Sequence, residues 1–512
     1  MEKQPRTYGA EIEKPVTNLD TGQPHRVSQD FFKRLSKFSQ ERGTKPKIHS
    51  SDIDCDRDPR ILGVVSSDLG EQGVDNGWNL LETSLSYRSS LAKLAELMRL
   101  DLQTVQKALE EEGASVINLS IHPLGKRDLE TYKAFVAPKG IYPYLWYRGW
   151  DHTAGIDARA QNSPTTSISP EEAADAVSVI IGAGAAFIGL FANSPFEEGK
   201  RSSFKEARLT MWKRMMKYSK IEGDRKTSQF PEQRFTTLAQ YFNWMFGYDT
   251  AIHFVIADNN TGGEYKGIGD KVLVIPENPS VIEFLSRRSW QALRLKDIFN
   301  GFPPTPVVVV PDISHFEAMQ FAQFAGARVR FTLNKENFPL EEFLEALKNP
   351  GKRKVEEIFS SYSKSMWIEG RDPGANFPDR EILEAGDEIA SSVIIAPAAI
   401  QAGLIRNLDK SSAYIDSIPW LKLKALREAA IKDGLTGEVD GLTVFDFANK
   451  ILEIAAKGLT ADEQRYLAYP RWVLETGQNG ADRAIAYVEE ERKNLSLGQA
   501  LLSLLKHRQV VI

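Results

Sequence analysis

The 512-residue sequence predicts an α+β protein, a mainly antiparallel sheet flanked by helices. Three observations carry this. Short, alternating, strand-like runs are scattered through the first two-thirds of the chain. Helical periodicity takes over almost wholly from Asp379 onward. The regular alternation of strand and helix that builds a parallel doubly wound sheet is missing.

In chain order, Thr7 to Glu13 alternates as a strand and Gln29 to Ser39 has a helical pattern. An Asp-rich loop, Ser50 to Arg60, precedes a strand-like run from Ile61 to Ser66. A long helix spans Ser89 to Glu112, with Leu91, Leu94, Leu97 and Met98 on one face and Gly113 as its stop. Val116 to Ile121 reads as a strand, and so does Gly155 to Gln161, where Asp157, Arg159 and Gln161 alternate with small residues. Ser169-Pro-Glu-Glu opens a helix that runs to Ala192: a Ser cap, Pro in the first turn, then acids at the positive end of the dipole. Arg234 to Met245 is a helix and Ala251 to Ala257 a strand. Val307 to Val310 is a core strand, and Phe316 to Phe324 and Pro339 to Leu347 are helices. Trp367 to Arg371 is the last strand. Helices follow at Trp420 to Asp433, Val444 to Gly458 and Asn479 to Glu491. Pro/Gly/Ser-rich linkers are lacking, so the expectation is a core over residues 1–378 with a helical part, 379–512, packed on it.

Composition removes whole classes of function. Lys and Arg number 64 and Asp and Glu 69, a net charge of −5 that provides no general field for nucleic acid. The single cysteine, Cys55, excludes an intramolecular disulfide and a thiolate cluster. The N-terminal stretch has no apolar core of a secretory signal. The most apolar segment, Val177 to Ala192, is short for a membrane span and reads as a buried helix. A cytoplasmic protein is expected.

The P-loop pattern is absent, and Gly182-Ala-Gly184 with Gly189 lies inside an apolar helix, where close helix packing is the better reading than a dinucleotide fingerprint. The carboxylates are more informative. Glu11 and Glu13 stand two apart on a strand, so both side chains point to one face. Two acids there form either a solvated edge or a divalent-cation site. Asp75 and Glu82 form a second pair, Glu82 in an apolar setting where a lone acid is costly. Glu369 and Arg371 share a strand face, an acid beside an arginine that suits phosphoryl transfer. The strand with Asp157, Arg159 and Gln161 lines a polar cavity or forms a solvated face. His122 and His152 read as packed structural histidines rather than bases, Cys55 as incidental, and the basic run from Lys200 to Arg214 as a largely solvated helix face.

At this point the sequence resembles the glutamate–cysteine ligases, particularly the plant-type and ergothioneine-pathway group of the carboxylate–amine ligases. The matching stretches are Gly9-Ala-Glu11-Ile-Glu13-Lys14, the Asp75 to Glu82 spacing, and Ala137-Pro-Lys-Gly140 with Tyr142. They continue with Ile156 to Gln161, and with Phe191-Ala-Asn193-Ser-Pro195-Phe-Glu-Glu198-Gly199-Lys200 followed by Arg208 and Trp212. Ile368-Glu369-Gly-Arg371 and the glycine–leucine pairs of the C-terminal third complete the set.

The resemblance implies a fold similar to glutamine synthetase, with a curved antiparallel sheet of about six strands. It implies ATP and two or three magnesium ions used to make a γ-glutamyl phosphate, which the amine of cysteine then captures, as in glutathione biosynthesis. It places Glu11, Glu13, Asp75, Glu82, Asp157 and Glu369 on the metals and makes Arg371, Arg208 and Glu369 catalytic. Arg159, Gln161, Asn193, Lys200 and Trp212 would meet substrate or phosphate. Partners would be small molecules only, glutamate, an amine and ATP, with no nucleic acid and no membrane, in a monomer or homodimer. The pattern also departs from the family. Asp157 stands where His or Gln is usual, Arg159 and Gln161 where Asn and Asp are, Ile141 where Arg is, and Asn162 to Ile168 reads as an insertion. The same chemistry with another amine or acid is therefore an alternative, and a non-catalytic binder retaining the fold is a second.

Overall fold

The protein, a computed structural model, is described over residues 5–51, 61–156, 159–247, 249–252, 255–256, 272–294, 303–320 and 323–512. Its strands in chain order are β1 (Tyr8–Asn18), β2 (Lys47–Ser50), β3 (Ile61–Ser66), β4 (Gly70–Val74), β5 (Leu80–Leu85), β6 (Ala114–Val116) and β7 (Asn162–Ser167). A small hairpin, β8 (Phe196–Glu197) and β9 (Lys200–Arg201), follows. Next come β10 (Val255–Ile256), β11 (Val272–Val274), β12 (Trp290–Arg294) and β13 (Pro306–Val309), a separate four-stranded sheet. The last two main strands are β14 (Ala327–Leu333) and β15 (Ser363–Gly370). The main sheet runs β14-β15-β7-β1-β5-β4-β3-β2 with β6 beside β1, nine antiparallel strands among the described residues where about six were expected.

β1 is the axis of this sheet, paired to β5 on one side and β7 on the other. Its residues divide between two faces. Ile12 and Lys14 point to the back, where Lys14 Nζ meets Asp101 Oδ2 at 2.8 Å and Thr83 Oγ1 at 2.8 Å, all out of water. Asp101 belongs to the long helix Leu91–Glu110, so this buried pair ties helix to sheet. Four helices cover the back: Gln29–Glu41, Leu91–Glu110, Pro170–Gly182 and Ala396–Arg406. The helical C-terminal part is continuous with the same hydrophobic core, which includes Ile400, Leu404, Leu423, Phe447 and Ile451. A smaller cluster joins the last two helices to Ile117, Leu119 and Phe196.

The structure differs from the sequence reading at several elements. The apolar helix from Ser169 is two helices, Pro170–Gly182 and Gly184–Phe191, bent by 45°. A side chain at Gly182 would press on Ile415, and one at Gly184 would collide with the Asp372 carboxylate, which is paired to Arg427 at 2.5 Å. Close packing therefore explains these glycines. Among the described residues no single helix is long and apolar enough to cross a membrane, and this bent pair is buried. Among its described residues, the stretch Gly155 to Gln161 forms no strand. His152–Gly155 is a 3-10 turn, and Arg159 and Gln161 make only isolated bridges, to Ile121 and Gly374. The strand is the stretch after it, β7, once read as an insertion; its residues are buried between β1 and β15 although most are polar. Val307 to Val310 is an edge rather than a core strand, with Val308 60% and Val310 66% exposed.

Candidate active site

Register assembles the front face of the main sheet. In antiparallel pairs, residues directly opposite share a face. Glu13 lies opposite Glu82, and Glu11 lies between Ser84 on β5 and Ser163 on β7. Across β7, Thr165 faces Gly9 on one side and Glu369 on the other. Beyond it Arg328 lies opposite Glu369, and Arg330 opposite Trp367. One polar floor therefore runs from acids at β1 and β5 to arginines at β14 and β15. Gly9 leaves room in the middle: a side chain there would meet Thr165 Oγ1 at 2.6 Å and the Tyr87 ring at 2.9 Å. Tyr87 instead packs edge-on to Trp367, ring centroids 5.4 Å apart.

Above this floor is a cavity of about 530 Å³, of a size suited to a small-molecule site. Its walls include the helix Ile141–Arg148, the segment carrying Arg208, Met211 and Trp212, and the helix Ile313–Met319. Trp212 is stacked on Phe324 at 3.9 Å.

At the acidic end, Glu11, Glu13 and Glu82 each bring a carboxylate oxygen within 4.8 Å of the others. Burial first, and then the charges of Asp75, Glu11 and Glu82, push the Glu13 carboxyl well above the usual range. Glu13 Oε2 accepts from the backbone N–H of Gln161 at 2.9 Å. Asp75 lines the same cavity on a loop held from behind. Lys139 Nζ donates to its carbonyl at 2.7 Å, and Tyr142 donates to the same carbonyl at 3.1 Å. That gives the Ala137 to Tyr142 stretch a structural task. The oxygen-only donor set and the raised Glu13 carboxyl both fit a divalent cation such as magnesium.

At the basic end, Glu369 Oε1 meets Arg328 at 2.6 Å and Arg371 at 2.9 Å, while Oε2 meets Arg330 at 3.2 Å. Burial would raise Glu369, but the three guanidiniums overcome it and bring the carboxyl down to about 2. Burial lowers Arg328 to about 10 against the pull of Glu369. Glu369 was expected to be a metal ligand. Both of its oxygens serve guanidiniums here, and it is not among the described residues lining the cavity. The setting is that of a counter-ion.

The remaining residues singled out in the sequence divide as follows. Arg371, Arg208, Arg159, Gln161 and Trp212 line the cavity. Arg208 is steered by Glu206, its Nε to Oε1 at 2.8 Å, and by Gln161 Oε1 at 3.1 Å. Arg159 donates to Glu197 at 2.9 Å. Asn193 is not at the cavity: it is fully buried and its amide donates to Asn118 and to the Ala375 carbonyl. Lys200 is likewise away from it, exposed after the tight turn Glu198-Gly199, both at positive φ, that closes the β8–β9 hairpin. Asp157 and Cys55 lie outside the described residues. His122 and His152 are buried, and burial takes each imidazole down to about 3, so both are neutral at physiological pH.

Sequence reasoning missed Arg328, Arg330 and Glu206. The signal for the first two was present: Arg328-Val-Arg330 has the same period of two that drew attention to Glu11 and Glu13.

With this geometry in place, the sequence profile of glutamate–cysteine ligase family 2 (GCS2) matches residues 7–300, more than half of the chain. The chain belongs to that family. It is therefore an enzyme, a ligase of the glutamate–cysteine type. The fold is similar to that of glutamate–cysteine ligase from Francisella tularensis, solved in complex with AMP. The two share 11% identity with a TM-score of 0.50 over 99% of this chain and 88% of that one. A bifunctional glutathione synthetase from Pasteurella multocida is also similar, at 12% identity and a TM-score of 0.45 over 98% of this chain and 51% of that one. A sequence comparison with curated proteins gives no match.

Proposed function

We propose that this family member uses ATP and magnesium to join the γ-carboxylate of glutamate to an amine, with cysteine as the first choice of acceptor. The observation that carries the reading is the polar floor itself, acids at one end and arginines at the other beneath one cavity.

A triphosphate approaching a carboxylate is repulsive unless opposite charge lies on both sides of it. Glu11, Glu13 and Glu82, with Asp75 beside them, would hold the magnesium; the chemistry it supplies when bound is neutralisation of phosphate charge. Arg371 contacts the transferring phosphoryl group and Arg208, held by Glu206, contacts phosphate or the substrate carboxylate. In the first step a γ-carboxylate oxygen bonds to the terminal phosphorus and the bond to ADP breaks. In the second, the amine nitrogen bonds to the acyl carbon, the carbon–oxygen bond to phosphate breaks, and the amine proton leaves with phosphate. No side-chain nucleophile is needed, and neutral His152 lends its wall no competing charge. A cytoplasmic setting, with its supply of ATP and amino acids, goes with this reading.

The test is phosphate release from ATP by the purified chain, with mass detection of the product across a panel of amines. Release that requires both glutamate and an amine supports the reading, and the best amine names the acceptor. No glutamate-dependent turnover with any of the twenty amino acids would sink it.

A further inference from the structure

We propose that Asp224 is a positioning residue that sets which amine the site accepts, by fixing the aromatic wall of the cavity through Trp150. This deepens the reading above and rests on it, since it takes the site to join an amine to glutamate.

Asp224 is fully buried on the turn Glu222–Ser228, behind the cavity lining. Its carboxylate is paired with the equally buried Arg148, whose Nε donates to it at 2.8 and 2.9 Å. Asp224 Oδ2 also accepts from the Trp150 indole N–H at 2.6 Å and from the Ser219 hydroxyl at 2.5 Å. Arg148 donates in turn to the Tyr144 hydroxyl at 3.1 Å and to the Ile252 carbonyl at 2.9 Å. Gly149, between Arg148 and Trp150, has a φ of +93°, and a Cβ there would meet the Tyr218 carbonyl at 2.4 Å. This left-handed residue lets both neighbours turn to one carboxylate. A buried ion pair is a poor source of net stability, because desolvation offsets the attraction. Its contribution here is geometric: it joins the helix Ile141–Arg148, Trp150, Ser219 and the Ile252 segment around a single group.

Trp150 carries the effect to the cavity. It is 2% exposed, lies on the wall and packs edge-on to Phe324, ring centroids 6.2 Å apart. Phe324 is the ring stacked on Trp212. The backbone N–H of Phe324 donates at 2.8 Å to the carbonyl of Thr227, on the same turn as Asp224. One turn therefore holds Trp150 by a side chain and Phe324 by the main chain. Met215 is tied in as well, its carbonyl accepting from the Asp151 N–H at 2.7 Å. With Leu145 and Met211, these residues form an apolar wall above the polar floor.

The phosphates and carboxylates of the substrates belong to the floor, and an apolar substrate group is matched by this wall. The Met211 and Met215 part of it borders the acidic end. A Cβ at Gly155 would lie 3.0 Å from Met215, 3.2 Å from Met211 and 3.5 Å from Asn76, the residue after Asp75. In an in-line transfer the nucleotide departs on one side and the acceptor carboxylate stands on the other. With the arginines on the nucleotide side, the amine attacks at the acidic end, under this wall. The group the wall takes is the side chain of the amine, apolar or thiol-bearing, because sulfur and aromatic rings attract.

The experiment is steady-state kinetics of the purified full chain with glycine, alanine, cysteine, leucine and phenylalanine as amines, and with ATP varied in turn. The variants are Trp150→Phe, Asp224→Asn and the double Trp150→Phe/Asp224→Asn. Wild type should favour an apolar or thiol side chain over glycine by about tenfold or more in kcat/KM. Trp150→Phe keeps a ring but removes the N–H that Asp224 holds. It should cut that advantage by about tenfold, through KM for the amine, and move KM for ATP by less than about twofold. Asp224→Asn should shift the preference in the same direction. The double variant should be no worse in preference than the worse single one, because the two residues act as a unit. Should Asp224→Asn not fold, Trp150→Phe, which keeps the Arg148–Asp224 pair, decides alone.

An unchanged preference in Trp150→Phe, or a loss that scales all amines alike, overturns the positioning role. A change in KM for ATP in place of the amine gives the wall to the nucleobase and overturns it too. If the wild-type chain shows no glutamate-dependent turnover with any amine, the proposed function falls and this inference with it, an outcome distinct from both.

Discussion

At the β1–β5 end of the floor, Glu11, Glu13 and Glu82 crowd together, and burial, then Asp75, Glu11 and Glu82, raise the cost of charging Glu13. At the β14–β15 end, Glu369 is equally buried but is met by three guanidiniums and is held ionised down to about pH 2. The same residue type, on the same sheet face, a few strands apart, costs stability in one place and contributes it in the other. Burial is common to both; the sign of the neighbours decides. At the acidic end the crowding carries a cost that a bound cation would relieve. The basic end is organised before any ligand arrives.

The largest expected effect is at the organised end. Glu369→Ala leaves three guanidiniums without their carboxylate and should cost about 3–5 kcal/mol in urea unfolding. A loss under about 1 kcal/mol would show that the cluster does not depend on it. Arg371→Lys should retain the fold but lower glutamate-dependent phosphate release by about 10²–10³-fold, because one point charge replaces a bidentate fork.

Acid titration separates the two ends by sign. The folded value for Glu369 is below its unfolded 4.5, so its contribution is fully present above 4.5 and is lost as pH falls through about 2. The folded value for Glu13 is above 4.5, so its ionisation subtracts stability as pH rises past 4.5. Glu369→Gln should therefore flatten the loss of stability in acid, and Glu13→Gln the loss above pH 4.5, each read from melting temperature against pH in EDTA.

The smallest effect is expected at Lys200. On its exposed hairpin Lys200→Ala should change stability by no more than about 0.5 kcal/mol and leave turnover within about twofold. A larger drop in activity would bring the hairpin back to the site.

Much of this was legible in the sequence because strands declare their faces every second residue. Glu11 with Glu13 and Glu369 with Arg371 were found that way. Arg328 and Arg330 obey the same rule on β14, a strand not recognised between two helices. β7 was missed for a different reason. Asn162-Ser-Pro-Thr-Thr-Ser has no apolar alternation, and its burial comes from strands on both sides, which the local sequence does not carry. The converse error was Gly155 to Gln161, where alternation is real but the described residues make only the end of a 3-10 turn and isolated bridges. Asn193 shows the limit of motif reading: it matches the family stretch because it ties Asn118 to Ala375 in the packing beneath the site, not because it faces the cavity.

The contrast between the two ends is tested most directly by melting wild type and Glu13→Gln at pH 7, in EDTA and in magnesium. In EDTA the variant should be the more stable, by on the order of 1 kcal/mol. Magnesium should raise the wild type, by about 2.7 kcal/mol at a hundredfold excess over its dissociation constant, and leave the variant nearly unchanged. A wild type indifferent to magnesium, or a variant that starts lower and gains as much, would contradict a cation site at Glu11, Glu13 and Glu82.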